Sequence, residues 1–142
     1  MTVSLTNTPV LETERLILRA PGPGDYDHWR PFALSERAKY IGGPYSASRS
    51  WRGFGHAIGH WVMRGWGSFV FHLKSDPKPL GMTGPWYPEG WPEKELGWTV
   101  WDASVEGTGL AFEAAGEVVS LEEDHGLVDL AGLGGCVEDL DE

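Results

Sequence analysis

Hydrophobic positions follow two different periods along the chain, and the changes of period mark its elements. Leu11-Glu12-Thr13-Glu14-Arg15-Leu16-Ile17-Leu18-Arg19-Ala20 is apolar with β-branched character and runs into Pro21-Gly22-Pro23-Gly24, which predicts a first strand with a turn behind it. From Asp25 to Lys39 the spacing is helical, with Trp29, Phe32, Ala33 and Arg37 three or four residues apart. Pro31 must then fall in the first turn or kink the element. Gly42-Gly43-Pro44 ends this pattern, and Ser46 predicts the N-cap of a second helix. Its stripe of Trp51, Phe54, Ile58, Trp61 and Val62 stops at Gly65,. At Gly67 the period changes to two. Gly67 to Lys74 predicts a strand, turned at Ser75-Asp76-Pro77-Lys78-Pro79,. Leu80 to Trp86 predicts a second strand, and Glu95 to Trp101 a third. Three strands on short links form an antiparallel meander. Helices before and after it predict an α+β fold instead of a doubly wound sheet.

A chain of 142 residues, 41% hydrophobic and 12% aromatic, has the length and composition of one soluble domain with a substantial core,. No apolar run is long enough for a membrane span, and Met1 to Val10 lacks the basic-then-apolar layout of a signal peptide. No membrane association is expected, and a cytoplasmic location is the default reading. Cys136 is the single cysteine, which excludes an internal disulfide and a multi-cysteine zinc site,. The net charge of −10 is unevenly spread. Residues 1–116 carry 12 acidic and 11 basic side chains, residues 117–142 carry 9 acidic and no Lys or Arg, and every aromatic lies at or before Phe112. Residues 1–116 are therefore read as the folded domain and 117–142 as an acidic, atypical C-terminal tail. With few large apolar side chains to offset roughly 1–2 kcal/mol of backbone ordering per residue, most of residues 122–142 is expected to be loosely held. Neither part has the basic stripe of a nucleic-acid binder, so no nucleic-acid partner is expected.

The segment Glu106-Gly107-Thr108-Gly109-Leu110-Ala111 follows the third meander strand and opens a helix with two glycines. Glycine costs a helix interior roughly 1 kcal/mol relative to alanine, so local propensity does not favour it there. A helix that starts just past a strand presents unpaired N–H groups and a partial positive charge, and glycine lets a bulky anion approach that backbone. The chemistry points to a pyrophosphate-bearing cofactor. On the motif alone, a flexible start to an ordinary helix is an equal alternative.

In its strand-loop-helix setting the segment fits the pattern (Gln/Arg)-x-x-Gly-x-(Gly/Ala), with Gly109 and Ala111 in the last two fixed positions. It resembles the acetyl-CoA signature of the GNAT acetyltransferases. Thr13-Glu14-Arg15-Leu16-Ile17-Leu18-Arg19, Gly81-Met82-Thr83-Gly84, Pro88-Glu89-Gly90-Trp91-Pro92 and Glu95-Leu96-Gly97-Trp98-Thr99 resemble the branch that contains ribosomal-protein N-terminal acetyltransferases. Order and spacing agree across about residues 9–115.

That resemblance implies the acyl-CoA N-acyltransferase fold: α+β, with a mixed, mainly antiparallel sheet, helices on both faces, and C-terminal elements incomplete in this chain. It implies acetyl-CoA as acetyl donor and direct transfer to a primary amine, either a protein N-terminus or a small molecule. Glu106, Gly107, Thr108, Gly109, Leu110 and Ala111 would face the pyrophosphate, while Trp98, Val100 and Trp101 would offer strand backbone to the pantetheine arm. Glu95, on the acceptor side, is the first choice for the general base that takes the amine's proton, with Glu93 its neighbouring rival.

Two features depart from the pattern. Glu106 stands where Gln or Arg is wanted, and residues 117–142 hold no Asn or Tyr to supply the family's later elements. The wall opposite the third strand is left to Val118-Val119-Ser120-Leu121 and Gly126-Leu127-Val128-Asp129-Leu130. An open sheet edge would also invite a homodimer. The rival readings are a non-catalytic acyl-CoA binder and a Trp-rich interaction module. His56 and His60 have the i, i+4 spacing of zinc ligands but no third ligand nearby, so they read as polar flanks of an apolar helix stripe and no metal is expected,. His72 reads as structural.

Overall fold

Five strands form one antiparallel sheet in the computed structural model, which describes residues 3–125. The sheet runs in chain order, β1 (Leu11–Glu12), β2 (Leu16–Arg19), β3 (Phe69–Leu73), β4 (Asp76–Trp86) and β5 (Glu95–Val100). Successive side chains of a strand point to opposite faces, so the register decides which helix each one meets. Leu18, Phe71 and Gly81 align on one face, and Arg19, Val70 and Met82 on the other.

Helix α3 (Leu110–His125) covers the first face, packing Leu110, Ala114, Ala115 and Val118 against Leu16, Leu18, Phe69, Phe71 and Leu96. Helices α1 (Tyr26–Ala33) and α2 (Ala47–Arg64) cover the second, where Trp29, Phe32 and Phe54 meet Val70 and Trp101. This is the α+β arrangement with helices on both faces. Every described pairing is antiparallel. The parallel part of the expected mixed sheet and the expectations placed on residues 126–142 lie outside the described residues. Among the described residues no helix is long and apolar enough to cross a membrane.

The structure redraws several boundaries. The first strand is a hairpin, broken where Thr13 N–H turns back to the Leu16 carbonyl (3.0 Å). The helix expected over Asp25–Lys39 is divided by Ser35, whose hydroxyl accepts the Arg37 N–H and opens a 3-10 segment, Glu36–Ile41. Pro31 lies inside α1, which ends two residues later. Pro31 lacks the N–H for one helical bond, and the helix closes where the Ser35 N–H (3.0 Å) and hydroxyl (2.7 Å) both turn to the Phe32 carbonyl. Strand β4 starts at Asp76, not Leu80, because the register shift opposite Phe71 and Leu73 accommodates Pro77 and Pro79, which cannot donate to a ladder,.

Helix α2 has the expected ends, with Ser46 Oγ accepting the Arg49 N–H (3.1 Å) and Gly65 in the left-handed conformation (φ 80°). Its buried face differs from the expected stripe. Trp51 and Val62 are 64% and 71% exposed, whereas Ser50, Phe54, Ala57 and Trp61, with the 3.6-residue period, turn inward,. Helix α3 crosses the compositional boundary at residue 116 without a break, and Val118 is fully buried. Val118-Val119-Ser120-Leu121 is thus a turn of helix beneath the sheet and cannot form an opposing strand.

His60, read from sequence as a polar flank, is only 2% exposed. Its Nδ1–H donates to the Trp66 carbonyl (2.8 Å), its Nε2 accepts the Tyr87 N–H (2.9 Å), and its ring stacks on Trp86 at 4.6 Å. Both nitrogens are spent, which leaves none for a metal, and the ring ties α2 to the end of β4. Burial pushes the His60 pKa below the usual histidine range, with the Trp66 carbonyl opposing and His56 and Arg64 adding to the fall. A depressed histidine favours the neutral folded form. Its stabilisation is complete above the ordinary value of 6.5 and is lost as pH falls through the lower folded pKa,. Replacing His60 with Phe orphans the Tyr87 N–H and should cost about 1–3 kcal/mol at neutral to alkaline pH. Urea unfolding across this range should show the gap between parent and variant narrowing in acid.

Candidate functional site

Main-chain hydrogen bonding sets the phase of β5. Trp101 N–H bonds to the Leu80 carbonyl (2.7 Å), so Thr99 and Gly97 turn their main-chain groups toward β4, while Val100, Trp98 and Leu96 turn theirs to the other edge,. No described strand pairs with that edge. Beyond it, Asp102 Oδ1 accepts the Ser104 N–H (3.0 Å) and hydroxyl (2.7 Å), which opens a 3-10 turn at Ala103–Val105. Lys78 Nζ lies 2.9 Å from Asp102 Oδ2. The Lys78 contact, followed by those from Ser104, holds the Asp102 carboxyl down at about 2.

The loop into α3 accounts for both glycines. Gly107 and Gly109 have φ of 74° and 81°, a left-handed backbone that costs an L side chain roughly 1–2 kcal/mol,. The space a Cβ would enter is open as well. Nothing lies within 4 Å of it at Gly107, and only Arg15 Nη2, at 3.8 Å, does so at Gly109. Glu113 N–H bonds to the Gly109 carbonyl (3.0 Å), so the Leu110, Ala111 and Phe112 amides ahead of it have no acceptor within the helix,. Free amides, a helix N-terminus and an open approach together make an anion cradle.

This helix start is anchored from the far end of the chain. Glu113 Oε1 accepts Arg15 Nε–H (2.7 Å), and Oε2 accepts the Arg15 main-chain N–H (3.0 Å) and the Thr13 hydroxyl. Thr13 Oγ1 in turn accepts the Leu16 N–H (3.0 Å). Burial alone would raise the Glu113 pKa, but the Thr13 and Arg15 hydrogen bonds outweigh it and hold the carboxyl below its ordinary value. The Thr13-Glu14-Arg15 stretch, matched in the sequence only by resemblance, is physically the clamp on the first turn of α3.

Arg37 was read in sequence only as a helical spacing. It donates from Nη1 to the Trp101 carbonyl (3.0 Å), from Nη2 to the Val100 carbonyl (2.8 Å) and to Glu106 Oε1, and from Nε to the same Glu106 oxygen (2.8 Å). The acidic departure from the motif is thereby paired with a cation 69 positions away. No local pattern could reveal such a contact.

The residues anticipated for the site do not all gather there. Trp98 and Val100 face the open edge with their main chains, but the Val100 carbonyl is engaged by Arg37. Trp101 is turned away from the edge: its ring is buried and its N–H and carbonyl are both used. Glu95 is exposed opposite Trp86, at the end of β5 remote from the glycine loop, and Glu93 is exposed in the loop before it. A cleft of about 330 Å³ opens beside the exit of β5, lined by Asp27, Phe32, Arg37, Lys78, Trp101 and Asp102 among others. Among the described residues no three His, Cys, Asp or Glu side chains are grouped to hold a metal.

The chain matches the acetyltransferase (GNAT) domain family over residues 15–131. Among solved structures it is similar to an acetyltransferase from Agrobacterium tumefaciens str. C58, at 32% identity and a TM-score of 0.78, covering 90% of this chain and 72% of that one. It is also similar in fold to RimL, a ribosomal L7/L12 alpha-N-protein acetyltransferase, at 13% identity and a TM-score of 0.63, covering 90% of this chain and 73% of that one. The microcin C7 self immunity acetyltransferase MccE, solved in complex with acetyl-CoA and AMP, shares 11% identity at a TM-score of 0.59, covering 82% and 67%. No curated protein matches.

The clamp on α3 can be tested directly. Glu113→Gln removes the charge that Arg15 and Thr13 hold and should lower the unfolding free energy by about 1–3 kcal/mol. Because the folded carboxyl titrates below its ordinary 4.5, this stabilisation is complete above that value and is lost as pH falls through the folded pKa,. Denaturant midpoints should therefore differ most at neutral pH and converge in acid.

Proposed function

This chain is a member of the GNAT acetyltransferase family, and we propose that it carries an acetyl group from acetyl-CoA directly to a primary amine, on a protein N-terminus or a small molecule. The observation that carries this reading is the glycine cradle, where left-handed backbone, open space and acceptor-free amides coincide at the start of α3.

The residues present fit the pyrophosphate of acetyl-CoA. Main-chain amides between Gly107 and Ala111 would hold it, aided by the helix dipole, while the open-edge backbone at Trp98 would meet the pantetheine amides. When bound, acetyl-CoA supplies an activated acyl thioester. The chain's own contribution is to fix the donor against the sheet edge and to present the amine in line with it, an approximation that can supply a large part of the rate. A group, or a water it holds, must take the proton the ammonium loses before attack, and Glu95 is the proposed acceptor, directly or through a water, from its exposed place at the start of β5,. As the C–N bond forms and the thioester C–S bond breaks, the second nitrogen proton would leave with the coenzyme A thiol.

The reading is tested by calorimetric titration with acetyl-CoA, followed by thiol release across a panel of amines. Saturable binding with amine-dependent release is expected. Binding without release would leave a non-catalytic acyl-CoA binder, and no binding would remove the proposal altogether. Gly109→Asn keeps a residue that tolerates left-handed backbone but fills the open approach, so it should weaken acetyl-CoA binding by about 10-fold or more, with a small change in unfolding midpoint. Glu95→Gln should lower turnover by roughly 10²-fold at unchanged acetyl-CoA affinity. Equal rates for parent and variant across the pH range would exclude Glu95 as the base.

A further inference from the structure

The guanidinium of Arg37 has two kinds of partner. Val100 and Trp101 hold it through main-chain carbonyls at 2.8 and 3.0 Å, and the Phe32 ring lies 5.2 Å from its centre. Those contacts fix its plane against the end of β5. Glu106 is a different kind of partner. Its side chain is 55% exposed, it precedes the left-handed Gly107, and it stands three residues before Gly109 in the same loop. The cation is thus placed by fixed backbone, whereas its anionic partner is a solvent-facing side chain on a glycine loop. An exposed ion pair of this kind is weak and exchangeable. A phosphate presents oxygens to a guanidinium fork in the same way a carboxylate does.

We propose that Arg37 is a binding residue for the pyrophosphate of acetyl-CoA and that Glu106 holds its place on the guanidinium until phosphate displaces it. The inference rests on the acetyl-CoA reading above. It assigns the cation to the 3-10 segment between α1 and α2, whose Arg37 is brought to the loop by its hydrogen bonds to Glu106.

The two partners of the pair should respond with opposite signs. Coenzyme A is titrated by calorimetry into the parent, Arg37→Gln, Arg37→Lys and Glu106→Gln. Arg37→Gln should weaken binding by about 10- to 100-fold, through loss of a charged hydrogen-bonding fork. Arg37→Lys keeps the charge without the fork and should fall between it and the parent. Glu106→Gln removes both the competitor and a repulsive charge and should tighten binding by about 3- to 10-fold. An ion pair that only braces the loop would lose affinity whichever side is removed, so weaker or unchanged binding by Glu106→Gln overturns the proposal. If Arg37→Gln does not fold, Arg37→Lys carries the other side of the comparison and must still weaken binding while Glu106→Gln, which leaves the carbonyl contacts of Arg37 in place, tightens it,. The opposite signs should persist with 3′-dephospho-coenzyme A, and their disappearance would overturn the assignment to pyrophosphate. A parent that binds no coenzyme A overturns both this inference and the acetyl-CoA reading, whereas a parent that binds while its variants share one sign overturns this inference alone.

Discussion

The carboxylate of Glu113 closes the fold across almost the whole described chain. It receives the Thr13 hydroxyl and two donors of Arg15, and in doing so pins the first turn of α3 to the β1–β2 hairpin. The position of that turn decides where the Leu110, Ala111 and Phe112 amides point, and hence whether a cradle exists. It also decides how Ala114, Ala115 and Val118 seat beneath β2, β4 and β5. Small alanines allow the helix to lie close to the sheet, and a half-buried carboxylate with several donors resists being pulled back into water. The hairpin, the core of the first face and the candidate site therefore share one anchor.

Much of this architecture was legible in the sequence because its causes are local. Ser46 and Gly65 cap α2 through their own conformational preferences, and the two-residue period of the meander follows from the alternation of side chains on a strand. The glycines of the cradle were legible as an anomaly: they cost a helix stability, so their placement called for a reason outside propensity. The positive φ angles supply one that the sequence could not, namely a backbone shape closed to most other residues.

What stayed hidden depends on contacts between distant segments. His60 looks like a polar flank by periodicity, yet two main-chain partners brought by the fold make its burial tolerable. The pairing of Arg37 with Glu106 is equally invisible to spacing, and it changes the meaning of an acidic residue in the motif. The shift in composition near residue 116 is real but does not coincide with a structural break, because alanine and valine on α3 continue the buried face while glutamates occupy other positions.

The path of the chain after β5 has a mechanical side. Trp101 is buried with α1 and α2 on one face of the sheet, and Leu110 is buried with α3 on the other, so the loop between them passes around the sheet edge from one layer to the next. A ligand held by this loop would act as a rivet through both layers, resisting their separation wherever along the sheet it began. Helix α2 already ties the two cores, with Trp61 buried in one and Phe54 in the other, so such a ligand would add a second tie at the rim.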